Sequence, residues 1–399
     1  MKRTIAGILA FCLLLGLTAC GSSNADSSSA PTTSAQTSST GTAATAMSTT
    51  ASRSRVTTTT TTQSETPTTT LSEKDAFLSQ VRVPVVGSSA DEKGWIYQLG
   101  MGGLYVREAT INSGRGGDAV EIVHITDLHF NYLNDKDFRE NNPSVMSTYA
   151  QREHMKNGAS RKNAELCLRY GSYFDQIVVT GDTIDYLTYG AMEMMKDLIW
   201  KPYPNALVTL GNHDSVRVMG LANDVKDPTT RESRYEILKN NWNHDIYYTS
   251  KVLGNKAMVI QMDNSQQKFW DSQVPKLKAD IEKARKNGYV ILLFVHIPLS
   301  TNNPDETSVY EIARKPKSRY NFYTGGIGGI NSDGATREVW DLIMNNADVF
   351  GGVFAGHIHE DYYAEMLAKT PSGEAKIIPQ YVNYTAASDN GHVLKITVK

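Results

Sequence analysis

Seven short apolar runs set the strongest limit on what this chain can fold into: Val120–Thr126, Gln176–Thr180, Ala206–Leu210, Ile246–Ser250, Ala257–Met262, Val290–Val295 and Val349–Ala355. Each is five to seven residues long, the length and composition of a β-strand. Helical patterns fall between them at about Ser160–Tyr170, Gly190–Trp200, Ser272–Lys286 and Thr336–Asn346, with Gly288 as a stop after the third. Strands that alternate with helices predict an α/β fold. After His359 the helical patterns cease, and three strand-like runs follow near Tyr362–Leu367, Lys376–Val382 and His392–Val398. They predict a second sheet layer and a sandwich flanked by helices. In Ala76–Asp118, apolar and aromatic residues around Trp95, Tyr97, Leu99 and Tyr105 predict added edge strands. No repeat of fixed period is present, which excludes solenoids and propellers.

The rest of the chain has a different build. Residues 1–20 run from Lys2 and Arg3 through an apolar stretch, Ile5 to Leu17, to Cys20. That stretch is shorter than the roughly 20 residues of a spanning helix and reads as an export signal. Leu17-Thr18-Ala19-Cys20 resembles the bacterial lipoprotein signal, which implies cleavage before a lipidated Cys20. Diacylation would supply the two chains that stable anchoring needs, on the outer face of the cytoplasmic membrane. Residues 21–72 are almost all Ser, Thr, Ala and Gly and form a flexible tether with a reach of roughly 40 Å. Residues 73–399 are enough for one large catalytic domain. Its single cysteine, Cys167, allows no internal disulfide and reads as a small buried apolar residue. The net charge of −2 becomes −4 once Lys2 and Arg3 leave with the signal, so no specific nucleic-acid partner is indicated.

Five polar clusters end apolar runs: Asp127-Leu128-His129, Gly181-Asp182-Thr183-Ile184-Asp185, Gly211-Asn212-His213-Asp214, Val295-His296 and Gly356-His357-Ile358-His359. Ligands at strand ends converge on one edge of a sheet. Carboxylate, imidazole and amide oxygen suit divalent ions of intermediate softness, which leaves Mn, Fe and Zn open. Asp-x-His and His-x-His pairs also suit the alternation of a strand, which sends both ligands to one face. Five of the nine histidines lie inside these clusters, so independent turn and core roles for all five would need repeated coincidence.

In this order the clusters resemble the calcineurin-like metallophosphoesterases over about Val120–Glu360. The resemblance implies a two-layer β-sandwich flanked by helices and a phosphate-ester substrate. It implies two divalent or mixed-valence metal ions, one held by Asp127, His129, Asp182 and His359, the other by Asp182, Asn212, His296 and His357. It makes a bridging hydroxide the nucleophile, gives the leaving group to His213, and makes Asp185 the carboxylate that orients His213. Two divalent ions bring +4, and two carboxylates with one hydroxide leave about +1 to meet a phosphoryl group. The neutral amide of Asn212 preserves that excess. Asp214 reads as a capping or loop residue. Tyr186 stands where the serine/threonine phosphatases carry a phosphate-binding arginine, and Asp185 where the purple acid phosphatases carry a tyrosine ligand, so neither branch is favoured.

Two segments are candidate lids. Between His296 and Gly356 lie Arg314, Lys315, Lys317, Arg319, Tyr320 and Tyr323, whose cations and rings suit an anionic substrate with a base or sugar. The second, Asn131–Asn157, offers Arg139, Arg152 and His154. The leading function is metal-dependent hydrolysis of phosphomonoesters or phosphodiesters at the cell surface. The alternatives are a nuclease of the same family and a non-catalytic surface binding protein on this scaffold.

Overall fold

The apolar runs are continuous rather than alternating because the strands are covered on both faces. The computed structural model describes residues 72–80, 97–99, 104–139, 159–216, 231–301, 334–388 and 390–399. In Val290–Phe294, the residues Val290, Leu292 and Phe294 face the space between two sheets, and Ile291 and Leu293 face a layer of helices. Val120–Ile125 does the same, with Ile122 toward the sandwich interior and Val123 and Ile125 toward helices.

The strands are β1 Tyr97–Leu99, β2 Leu104–Ile111, β3 Val120–Ile125, β4 Gln176–Thr180, β5 Leu207–Thr209, β6 Tyr248–Leu253, β7 Ala257–Met262, β8 Val290–Phe294, β9 Phe350–Ala355, β10 Tyr362–Lys369, β11 Ala375–Val382 and β12 Gly391–Val398. Sheet one has the order β1-β2-β12-β3-β4-β5, and sheet two the order β10-β11-β9-β8-β7-β6. Sheet one contains three adjacent parallel strands, β3-β4-β5, and sheet two contains four, β7-β8-β9-β11. Side chains from both sheets, among them Ile122, Val178, Leu292, Phe294, Phe354 and Ile396, fill the layer between them. The helix Ala159–Gly171 covers sheet one, and Gln273–Asn287 and Gly334–Met344 cover sheet two. The result is the two-layer sandwich flanked by helices that the sequence implied.

Gly288 closes the helix Gln273–Asn287 at φ 69°, with its N–H turned back to Ala284 and Arg285, a conformation open to glycine at little cost. Gly190–Trp200 divides into an α-helix Tyr189–Met195 and a wider π-turn Lys196–Trp200, which buries Ile199 and sets Trp200 edge-on to Trp242. Cys167 is buried within its helix, and burial pushes its thiol up.

The tail strands depart from the expected separate layer. β10 and β11 extend sheet two from β9, whereas β12 enters sheet one between β2 and β3. The reason lies in their faces. β12 buries side chains on both, Val393 toward helices beside the half-buried Lys395 and Thr397, and Leu394, Ile396 and Val398 toward the sandwich, and so fits a sheet interior. β10 alternates buried and exposed residues toward its end, as suits an edge. Among the described residues of Ala76–Asp118, β1 is the edge strand and β2 lies inside it. Among the described residues no helix is long and apolar enough to cross a membrane. Residues 1–71, with Cys20 and most of the tether, lie outside the described residues.

Candidate metal centre

The five clusters leave the C-terminal ends of β3, β4, β5, β8 and β9, placing Asp127, Asp182, Asn212, His296 and His357 two or three residues past each strand. Beyond β3 and β4 the two chains stay hydrogen-bonded. Asp127 N donates to Gly181 O at 3.1 Å, His129 N to Asp182 O at 2.8 Å, Phe130 N to Thr183 O at 2.9 Å, and Asp185 N to Phe130 O at 3.0 Å. The first two clusters are thereby locked in register.

Strand alternation is not what aims the ligands. Asp127, His129, Asp182, His357 and His359 hold φ of 54°, 46°, 45°, 71° and 53°. They are five of the seven non-glycine residues with positive φ among those described. This left-handed region costs roughly 1–3 kcal/mol for such residues and persists where surrounding contacts over-determine it. The turns bring Asp127 and His129, and likewise His357 and His359, toward one centre.

Two groups of donors result, joined by Asp182. In the first, His359 Nε2 lies 3.2 Å from Asp127 Oδ1 and 3.2 Å from His129 Nε2, and His129 Nε2 is 3.9 Å from Asp182 Oδ2. In the second, His296 Nε2 lies 3.4 Å from Asp182 Oδ1, 3.1 Å from Asn212 Oδ1 and 3.1 Å from His357 Nδ1. Different oxygens of Asp182 face the two groups. The other oxygen of Asp127, Oδ2, is occupied by Thr126 Oγ1 at 2.6 Å and His357 N at 2.9 Å.

These donors fit cations. His296 Nδ1 lies 2.7 Å from the Thr180 carbonyl, to which it must donate. In neutral His296 the Nε2 lone pair therefore faces the acceptor oxygens of Asn212 and Asp182, and lone pairs that converge on one point call for a proton or a metal ion. Without a metal the proton fills that place: against the pull of burial, Asp182 and Asp127 push His296 up to about 9. Burial and the neighbouring His296 charge drive His357 down to about 3. Although burial alone would raise Asp127, His359 and His296 hold it below the usual carboxylate range.

The family model of the calcineurin-like phosphoesterases matches residues 120–361. The chain belongs to that family. No curated protein matches the chain. Among solved structures, the chain is similar to a purple acid phosphatase from yellow lupin seeds, with 8% identity and a TM-score of 0.39. That alignment covers 76% of this chain and 59% of the lupin chain, so this chain spans less than two thirds of it. It is also similar to a dimetal phosphatase from Danio rerio, with 12% identity, a TM-score of 0.36, and coverage of 67% of this chain and 88% of the other.

Around the donors, His213 and Asp185 stand together, with His213 Nδ1 3.1 Å from the Asp185 backbone carbonyl and 3.1 Å from Asp185 Oδ1. The same oxygen lies 3.1 Å from His129 Nδ1, and Asn131 Nδ2 donates to Oδ2 at 3.2 Å. One buried carboxylate thus serves two imidazoles, a sharing that the spacing of the motifs did not reveal. His213 also stands with His129 and Asp182 in a group whose donor atoms lie within 4.8 Å. Asp214 is a buried tie between loops, accepting from Ile184 N at 2.8 Å and Gly211 N at 2.7 Å. Burial and the Asp182 charge raise it to about 7.

Sequence reasoning missed Asn264 and Gln380. Asn264 Oδ1 accepts from His296 N at 3.1 Å and Ile297 N at 3.0 Å, and Gln380 bonds both backbone groups of Leu299. Asn264 carried the right signal, a polar cluster at the end of an apolar run, Asp263-Asn264-Ser265 after Met262. Gln380, inside an apolar strand, carried none. Tyr186 is buried beside His213, with ring centroids 6.4 Å apart. Arg314, Lys315, Lys317, Arg319, Tyr320 and Tyr323 lie outside the described residues, as do Arg152 and His154; Arg139 is exposed at the end of a short helix.

Proposed function

We propose that this phosphoesterase hydrolyses phosphomonoesters or phosphodiesters with two metal ions held by Asp127, His129, Asp182, Asn212, His296, His357 and His359. The observation that carries this reading is the division of Asp182, whose Oδ2 faces the His129 group and whose Oδ1 faces the His296 group. When bound, two divalent or mixed-valence ions of Mn, Fe or Zn would supply a nucleophile at neutral pH and neutralise charge on the phosphoryl group. The chain's own residues do the rest. Asp185 holds Nδ1 of both His129 and His213, so His129 presents Nε2 to the first ion and His213 offers its proton from Nε2. His213 then protonates the departing alkoxide, a step whose need rises with the basicity of the leaving group. Asn212, neutral, adds a donor without cancelling cationic charge.

We further propose that lipidation of Cys20 keeps the enzyme at the outer face of the membrane, where the tether of residues 21–72 gives it reach over surface and soluble phosphate esters. The decisive assay uses metal-stripped protein reloaded separately with Mn, Zn, Fe, Ni or Mg. Hydrolysis of p-nitrophenyl phosphate and of its bis ester is then followed side by side. Turnover restored by a first-row ion supports the proposal and ranks monoester against diester. No turnover with any of them, although two ions bind, would sink the enzymatic reading.

A further inference from the structure

Arg107 lies on β2, outside the stretch that carries the five clusters, yet it is among the largest fully buried side chains of the described residues. Its guanidinium pairs with the Asp361 carboxylate and donates to the Val382 carbonyl at 2.9 Å. Asp361, only 16% exposed, also accepts from Tyr384 N at 3.0 Å and sits 3.4 Å from His392 Nδ1. Arg107 and His392 belong to sheet one, whereas Asp361 and Val382 follow from sheet two, so the network crosses the sandwich.

Its position in the chain gives the network a role. Asp361 comes two residues after His359, on the loop between β9 and β10. His357 and His359 on that loop hold φ of 71° and 53°, and such backbone needs anchoring at both ends. The upstream anchor is visible in Gly356 N to His296 O at 3.0 Å and His357 N to Asp127 Oδ2 at 2.9 Å. The downstream anchor is Asp361. A buried ion pair is weak support for stability, because desolvation of both charges offsets their attraction, so its presence is better explained by what it fixes.

We propose that Arg107 is a positioning residue for the metal centre. Through Asp361 it fixes the far end of the His357–His359 loop and so holds His359 Nε2 against Asp127 and His129. The inference rests on the two-ion reading above.

The test uses the full chain as Arg107→Met and as the double variant Arg107→Met/Asp361→Asn, which removes both buried charges. Three quantities are read: the Tm of metal-free protein, the stoichiometry and affinity of Mn(II) by calorimetric titration, and the EPR signal of spin-coupled Mn(II) pairs. Wild type is expected to bind two ions and show coupling. Arg107→Met should lower Tm, weaken one site by roughly 10- to 100-fold and lose coupling. In the double variant Tm should return toward wild type while that site stays weak, which separates positioning from stability. The double variant also carries the test if the single one fails to fold. A double variant that binds both ions with wild-type affinity overturns the inference, as does one in which both sites weaken together in step with Tm. Wild type that binds a single ion refutes the two-ion reading itself, and this inference with it.

Discussion

Gly211→Ala isolates how closely the Asp182 and Asn212 loops must approach. A Cβ added at Gly211 would lie 2.8 Å from Asp182 Cγ and nearer still to its backbone N and Oδ1. Packed heavy atoms sit at roughly 3.5–4.0 Å, so one loop must move by about 1 Å. The atoms in the way are not the tip of a flexible side chain; they include backbone locked by His129 N to Asp182 O and by Gly211 N to Asp214. Because Asp182 faces both donor groups, the displacement reaches both. A misplacement of about 1 Å at a reacting centre costs on the order of 100-fold in rate, and both metal affinities should fall together. The assay is kcat/KM on p-nitrophenyl phosphate and its bis ester at saturating metal, with a parallel metal titration and Tm. Gly116→Ala is the control, since nothing lies within 4 Å of its added Cβ and activity should be unchanged. Gly211→Ala with wild-type kcat/KM and metal affinity would refute the claim that this approach sets the position of Asp182.

Four other outcomes are expected. His213→Ala should keep both metals yet lose roughly 100- to 10,000-fold on an alkyl phosphate ester. It should lose far less on a p-nitrophenyl ester, and equal losses or a missing metal would end the proton-donor assignment. Asp185→Asn should show the same leaving-group bias and in addition weaken metal binding by roughly 10-fold or more, because its Oδ1 also holds His129; chelator competition reads this directly. Metal affinity should fall about tenfold per pH unit below about 9, because His296 holds a proton up to there without metal and must release it on binding. In metal-free protein the same raised pKa stabilises the fold fully below about 6.5, a gain lost as pH rises through about 9. A pH-independent affinity between 6.5 and 8.5 would contradict this. Cys20→Ser should release the protein from the membrane fraction, and unchanged detergent partitioning would remove the anchor.

The strands that carry ligands were legible because burial on both faces makes them unbroken apolar runs, and a polar cluster at the end of such a run is conspicuous. Position in the sheets was less legible. The run at His392–Val398 is visible as a strand, but only pairing shows that it enters between β2 and β3. The geometry of Asp127 and His129 also misled, since Asp-x-His fits strand alternation as well as it fits two left-handed turns. Contacts between distant segments left the faintest trace. Arg107 meets Asp361 across 254 residues, and no local pattern marks an arginine in an apolar strand as buried. The double use of Asp185 has the same cause, because its partners His129 and His213 lie on different loops.

The insertion of β12 has a consequence for how the molecule is made. β2 and β12 pair in register across roughly 290 residues, so sheet one closes only after nearly the whole domain is available, a high-contact-order step that slows folding. Until then β2 and β3, the strand that leads into Asp127, present open edges that invite pairing with other chains. A chain that crosses a membrane as a thread would carry this risk longest, because β12 comes long after β2 and β3. Removing β12 would therefore not trim an end. It would sever β1 and β2 from the strands that lead to four of the seven candidate ligands, leaving Arg107 on the detached side.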